Sequence, residues 1–131
     1  LLTKLTNNSE ILFISLGYGG IMAGMDMYLN YINKFKTIKN YHNSNFHPAR
    51  FSRYKLNDDI PKLSLEERCF LKMASKNKKI VVFDEDSCSG ETLEQANSYF
   101  KNLFNRNDLI CFANDFTDFK YDIKNQIKYN Y

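Results

Sequence analysis

The stretch IVVFDEDSCSGETLEQA, residues 80–96, contains an apolar segment, an acidic segment, a small-residue segment and an amphipathic segment in that order. Apolar β-forming residues at 80–83 run directly into the acids 84–86, and small residues around Gly90 follow. Apolar side chains then recur every three or four residues, which predicts a helix with one packed side: Leu93, Ala96, Phe100 and Leu103. A buried strand that turns through a glycine into a helix is typical of a parallel sheet.

The same strand-to-helix pattern occurs upstream of this stretch. ILFISL (11–16) predicts a buried strand, Gly17 ends it, and a helix follows from Ile21 to about Asn33. The apolar positions expected to face one side of that helix are Ile21, Met25, Tyr28, Leu29 and Ile32. Two short strands or extended loops are expected between residues 37 and 55, where Asn and Pro48 interrupt the pattern.

Further elements follow in alternation. A capping box between Ser64 and Glu67 predicts the start of a helix that has Leu65, Cys69 and Met73 on one face. LICFA (109–113) predicts a third strand, and the tail from residue 114 is expected to form a terminal hairpin or helix or a loosely held end. The alternation predicts an α/β fold, a three-layer sandwich whose central, mainly parallel sheet carries helices on both faces.

Composition limits the classes of protein that fit. The 131 residues suit one domain, 1–131, and no apolar run is long enough to cross a bilayer, so no membrane partner is expected. The formal charge of +3 comes from lysines scattered among acids, so no nucleic-acid partner is expected either. The three cysteines form no CxxC pair, which favours a reducing, cytoplasmic setting over disulfides or zinc. The chain lacks an initiating Met, so an upstream segment is expected to have been removed or omitted.

Both glycine turns are expected at carboxyl ends of strands, where open parallel sheets bind ligands. The backbone from Cys88 to Thr92 can form a nest of amides that binds a phosphate dianion at a helix N-terminus. The preceding acids are suited to accept hydrogen bonds from the vicinal hydroxyls of a ribose. A simpler interpretation is that these acids only cap the next helix. GYGG (17–20) likewise has a simpler interpretation as an ordinary tight turn.

The two turns in this order resemble the type I phosphoribosyltransferases. That family has an apolar strand, two acids and a small-residue phosphate loop ending in Gly-x-Thr, which is similar to residues 80–92. Upstream, ISLGYGGIMAG (14–24) is similar to the family's pyrophosphate loop. The resemblance covers residues 11 to about 113. It implies a single phosphoribosyltransferase-like domain in which the base-binding hood, usually built from the termini, is reduced or missing.

The resemblance also implies an activity. The protein would bind phosphoribosyl pyrophosphate (PRPP) with Mg²⁺ and transfer the phosphoribosyl group to a nitrogenous base with release of pyrophosphate, and a homodimer stays open. The catalytic acids Asp84 and Glu85 would bind the ribose hydroxyls, and the residues around the 5′-phosphate would be Cys88, Ser89, Gly90, Glu91 and Thr92. Gly17, Tyr18, Gly19 and Gly20 would face pyrophosphate, with Arg53 from HPARFSRYKL (47–56) as a candidate cation. Magnesium would be held mainly by substrate oxygens and water, with no direct protein ligand.

Two alternatives stay open. In the first, the domain binds PRPP or a nucleotide without turnover, as a regulatory or interaction module. This alternative arises because Glu85, Asp86 and Ser87 differ from the family's usual residues. A haloacid-dehalogenase-type phosphatase would instead use Asp84 as nucleophile and Asp86 as general acid, although such a motif normally opens its domain. His42 and His47 lie in polar sequence and are expected to be solvated.

Overall fold

A computed structural model of the chain describes residues 9–16, 20–38, 43–49, 63–84, 91–113 and 126–128. Within these ranges lies a sheet of five strands in the order β2-β1-β3-β4-β5. The strands are β1 (Ile11–Leu16), β2 (Asn45–Ala49), β3 (Lys79–Asp84), β4 (Ile110–Ala113) and β5 (Gln126–Lys128). Every neighbouring pair in this sheet is parallel.

Three helices connect the described strands and cover both faces of the sheet. They are α1 (Gly20–Ile38), α2 (Leu65–Ala74) and α3 (Glu91–Phe104). Because side chains alternate along a strand, each strand contributes to two cores. One core joins Phe13 and Phe83 to Tyr31 and Ile32 of α1. The other joins the alternate strand positions to α2 and α3, through Leu71, Ala74, Leu93, Ala96 and Phe100.

This architecture confirms the predicted α/β class with a parallel sheet between helices. The inner strands β1, β3 and β4 are largely apolar because both of their faces are buried; every side chain of β1 is at most 1% exposed. β2 contains Pro48 and lies at the edge of the sheet, where a missing backbone donor is tolerated.

The packed face of α1 differs in part from the prediction. The helix is longer than expected; Ile32 is buried and Tyr28 packs against the core as predicted, but Met25 and Leu29 are 38% and 51% exposed and Tyr31 is buried instead. The sequence places these apolar residues almost all round the helix, so their spacing does not identify which side faces the sheet. In the structure the side that contains Gly24 faces the sheet, and this residue lies against β1.

α2 begins at the predicted capping box. The Glu67 amide donates to Ser64 Oγ at 3.0 Å, and the Ser64 amide lies 3.5 Å from Glu67 Oε1. The predicted apolar face of this helix points away from the core, however: Leu65 and Met73 are 68% and 71% exposed. Leu71 is the fully buried residue of this helix.

The described part of the C-terminal tail is a strand of the sheet. β5 pairs with β4 in parallel, with Ala113 opposite Lys128, and the rest of the expected hairpin, helix or loosely held end lies outside the described residues. A three-residue strand is too short to show alternation, and its sequence therefore carries little signal. In the part of the chain that the structure describes, no helix is both long and apolar enough to cross a membrane.

Arg106 fixes the chain at the amino-terminal ends of the strands. Its Nη1 donates to the carbonyl oxygens of Ser75 and Lys78 at 3.1 and 2.9 Å, while Nε and Nη2 donate to Asp108. The hydrogen bond from Arg106 holds the pKa of the Asp108 carboxyl below its ordinary value. The entry to β3 is thereby fixed before the strand crosses the molecule.

Candidate functional site

The candidate site begins where β1 and β3 end side by side. The two strands are parallel neighbours with Ser15 opposite Phe83, so Leu16 and Asp84 end them at the same edge. The order of strands reverses here: the chain passes from β1 through α1 to β2 on one side, and from β3 through α3 to β4 on the other. Such a reversal is the point at which open α/β sheets bind ligands.

Asp84 is the last residue of β3 and the described member of the acidic block. It is half-buried and lies opposite Ala113 of β4, and it takes part in an interaction within the fold. A carboxylate at the end of a central strand keeps its position because the strand beneath it is fixed. It can accept hydrogen bonds from ligand hydroxyls at this edge.

The strand ends rest on an aromatic cluster. The Phe83 ring lies 5.9 Å from the Phe13 ring and 5.2 Å from the Phe112 ring, measured between centroids, and all three side chains are fully buried. Tilted pairs at these separations are favourable packing geometries. β1, β3 and β4 are therefore locked together just below the edge where Asp84 lies.

Gly24 brings α1 close to β1. A Cβ atom at this position would lie 2.7 Å from Ser15 Oγ and 3.1 Å from Ser15 Cβ, closer than side chains normally approach. The first turns of α1 can therefore lie directly on the end of β1. Since α1 starts at Gly20, its amino end lies near the carboxyl end of the strand.

Two helices thus begin after the two central strands at one edge. α1 follows β1 after residues 17–19, and α3 follows β3 after residues 85–90. Helix amino ends carry unpaired N–H groups and a partial positive charge, so both favour an anion. The arrangement can bind a ligand that carries phosphate and hydroxyl groups.

The predicted site residues divide into two groups. Asp84 ends β3, Gly20 begins α1, and Glu91 and Thr92 begin α3, so the structure brings their backbones to one edge. The others lie outside the described residues: Gly17, Tyr18, Gly19, Arg53, Glu85, Cys88, Ser89 and Gly90. The same is true of Asp86 in the phosphatase interpretation.

Few of the described side chains at this end of the sheet could bind magnesium. Among the described residues, no group of three or more His, Cys, Asp or Glu side chains could hold a metal ion. Asp84 supplies a carboxylate at the edge, and magnesium in phosphate sites commonly takes only one or two carboxylates besides substrate oxygens and water. With at most this one carboxylate from the described residues, magnesium would be held mainly by substrate oxygens and water.

His47 is an interacting residue that the sequence interpretation missed. Its Nε2 lies 3.1 Å from Glu67 Oε2, and its ring centroid lies 5.8 Å from that of Phe70. The expectation that His47 is solvated is therefore wrong. This contact ties the edge strand β2 to α2, away from Asp84. The partner is distant in sequence, so no local pattern predicts the pair; His42 lies outside the described residues.

Comparisons with known proteins add no family to this description. No protein-family model, no curated protein and no solved structure matches the chain.

Proposed function

We propose that the protein is a phosphoribosyltransferase-like domain that binds PRPP with Mg²⁺ and transfers its phosphoribosyl group to a nitrogenous base. Its fold would then be a type I phosphoribosyltransferase-like, Rossmann-like three-layer sandwich. The supporting observation is that β1 and β3 are parallel neighbours at the reversal of strand order. The glycine-rich segment 17–20 and the acidic segment 84–92 directly follow these two strands in the sequence, which is the order expected for a ligand bound across both strand ends.

PRPP suits such an edge because it is charged at both ends and carries ribose hydroxyls between them. Asp84 would accept a hydrogen bond from a ribose hydroxyl, with Glu85 beside it in sequence. The amino end of α3 would face the 5′-phosphate, and the amino end of α1 would face the pyrophosphate.

The reaction in this proposal breaks the bond between C1 of the ribose and the pyrophosphate oxygen while a base nitrogen forms its bond to C1. Positive charge builds on the ribose in the transition state, and negative charge builds on the departing pyrophosphate. The chain's contribution is to position both ends and to stabilise the leaving group with backbone N–H groups. Magnesium, when bound with the substrate, would neutralise part of the pyrophosphate charge.

The phosphatase alternative uses the same strand differently. It needs Asp84 as a nucleophile and Asp86 as an acid, and it assigns no role to the glycine turn after β1. Because β1 and β3 are neighbours, we favour a ligand that spans the ends of both strands.

One assay panel separates the possibilities. We expect pyrophosphate release from PRPP in the presence of Mg²⁺ with at least one base from a panel of purines, pyrimidines and related heterocycles. Binding of PRPP without release on the whole panel would instead support a non-catalytic, regulatory domain. Hydrolysis of a phosphomonoester that Asp86→Asn abolishes, together with no PRPP binding, would support the phosphatase.

A further inference from the structure

The outer face of α2 carries an exposed apolar stripe, defined by Leu65, Cys69 and Met73. Leu65 and Met73 are 68% and 71% exposed, and Cys69 is exposed between them. Residues four apart lie on one side of a helix, so the three side chains form one ridge about 12 Å long. Phe70, which is 45% exposed, widens the ridge on one side.

The stripe and the side of α2 that packs in the core are different sides of the helix. Leu71 and Ala74, on the other side of α2, are the residues that this helix buries in the core. The capping box holds the start of α2 in place and the contact between Glu67 and His47 holds its orientation, so the ridge is presented to the outside on a fixed helix.

Charged residues flank the stripe with opposite signs. At 100° per residue, Glu66 lies about 60° to one side of Cys69, while Lys72 lies about 60° to the other side and Arg68 lies beyond it. All three are exposed. An acidic flank on one side and a basic flank on the other make this face complementary to itself when two copies run in the same direction.

We propose that the α2 stripe is a homodimer interface in which the α2 helices of two copies pack side by side and parallel, about a two-fold axis along their length. Each ridge residue then meets its own counterpart, Leu65 on Leu65 and Met73 on Met73. Glu66 of each copy lies against Arg68 and Lys72 of the other. Cys69 of one copy lies beside Cys69 of the second.

The occupant of this face is a second copy because the flanking charges make the face its own complement. The exposed stripe on α1, formed by Met22, Met25 and Leu29, lacks that feature. Its exposed charged neighbour is Asp26, and the described residues beside it at 30 and 33 are asparagines. A ten-residue helix buries less area than a standard interface, so the dimer is expected to be weak and concentration-dependent.

Cysteine cross-linking tests the interface directly. In a Cys88→Ser background, a short bismaleimide is expected to link Cys69 to Cys69 and give a covalent dimer. The matched control replaces Cys69 by Ser and the exposed Ser98 of α3 by Cys, which reports random collisions. Equal yields from the two proteins would overturn the proposal. So would a Cys69 that a monofunctional maleimide fails to label, because another segment would then cover the stripe.

A charge swap tests the orientation. Glu66→Lys puts cations on both flanks, and the dissociation constant measured by sedimentation is expected to rise about fivefold or more, since two such contacts occur per dimer. Adding Arg68→Glu and Lys72→Glu reverses both flanks and is expected to restore association. Met22→Glu on α1 is expected to leave it unchanged. No rescue, or a loss caused by Met22→Glu, would contradict the assignment, and circular dichroism checks that each variant remains folded.

Discussion

Gly24 shows how one residue positions an element of the site. A methyl group there would meet Ser15 Oγ at 2.7 Å, and the Ser15 side chain is fully buried. Crowding of this kind typically costs about 1–3 kcal/mol, while replacing a helical glycine by alanine returns up to about 1 kcal/mol. Gly24→Ala is therefore expected to lower the free energy of unfolding by about 1–2 kcal/mol, measured by urea titration.

A second substitution checks the cause of that loss. Ser15→Ala removes the oxygen at 2.7 Å, so the double variant with Gly24→Ala is expected to lose less stability than the sum of the single variants. Strict additivity, or a gain in stability from Gly24→Ala alone, would show that α1 does not lie on β1 at this distance.

The cysteines offer another prediction for single residues. Cys111 is fully buried, and its thiol lies 3.2 Å from Asn97 Oδ1. Burial raises the pKa of this thiol to about 12 from 9.0, an effect that Lys101 partly opposes. The native state thus favours the neutral thiol, so the stabilisation is complete below pH 9 and is lost as the pH rises toward 12.

Thiol labelling measures this difference. At pH 8 in a Cys88→Ser background, the exposed Cys69 is expected to react with a disulfide reagent in the native state. Cys111 is expected to react only when the protein unfolds in urea. Mass spectrometry of peptides locates the label, and rapid native labelling of Cys111 would show that the core around β4 and α3 is open.

Among the elements, α2 depends most visibly on its first turn. The helix has ten residues, and Ser64 Oγ accepts a hydrogen bond from the Glu67 amide. Ser64→Ala is expected to lower the free energy of unfolding by about 1 kcal/mol, because it leaves an amide unpaired. Ser98→Ala, at an exposed position inside α3, is the control and is expected to change stability by less than about 0.5 kcal/mol. Equal effects would mean that the cap does not stabilise α2.

The elements themselves could largely be predicted from local sequence. β1 and β3 are apolar runs ended by glycine or acids, and the Ser64 capping box marks the start of α2. The orientation of α1 and α2 could not be predicted in this way. The apolar residues of each helix lie on several sides, and their spacing alone does not show which side is buried. Contacts such as His47 with Glu67 depend on residues twenty apart and have no local pattern.

At the scale of the whole molecule, the order of strands is what relates the two segments of the candidate site. Residues 17–20 and 84–92 are far apart in sequence, and spacing alone does not say that β1 and β3 are neighbours. The parallel pairing of these strands supplies that relation, and it depends on long-range packing. The structure therefore describes the part of the candidate site that the sheet and helices form: Asp84, the strand ends and the starts of α1 and α3.

The central claim is that this edge binds PRPP, and isothermal titration calorimetry with PRPP and Mg²⁺ tests it most directly. We predict saturable binding that requires Mg²⁺ and that Asp84→Asn weakens by about tenfold or more, since the substitution removes a carboxylate that accepts from the ribose. Glu10→Gln, which neutralises an acid just before the amino end of β1, at the opposite end of the sheet, is expected to bind like the unmodified protein. Absence of binding by a folded, unmodified protein, or equal binding by Asp84→Asn, would contradict the account.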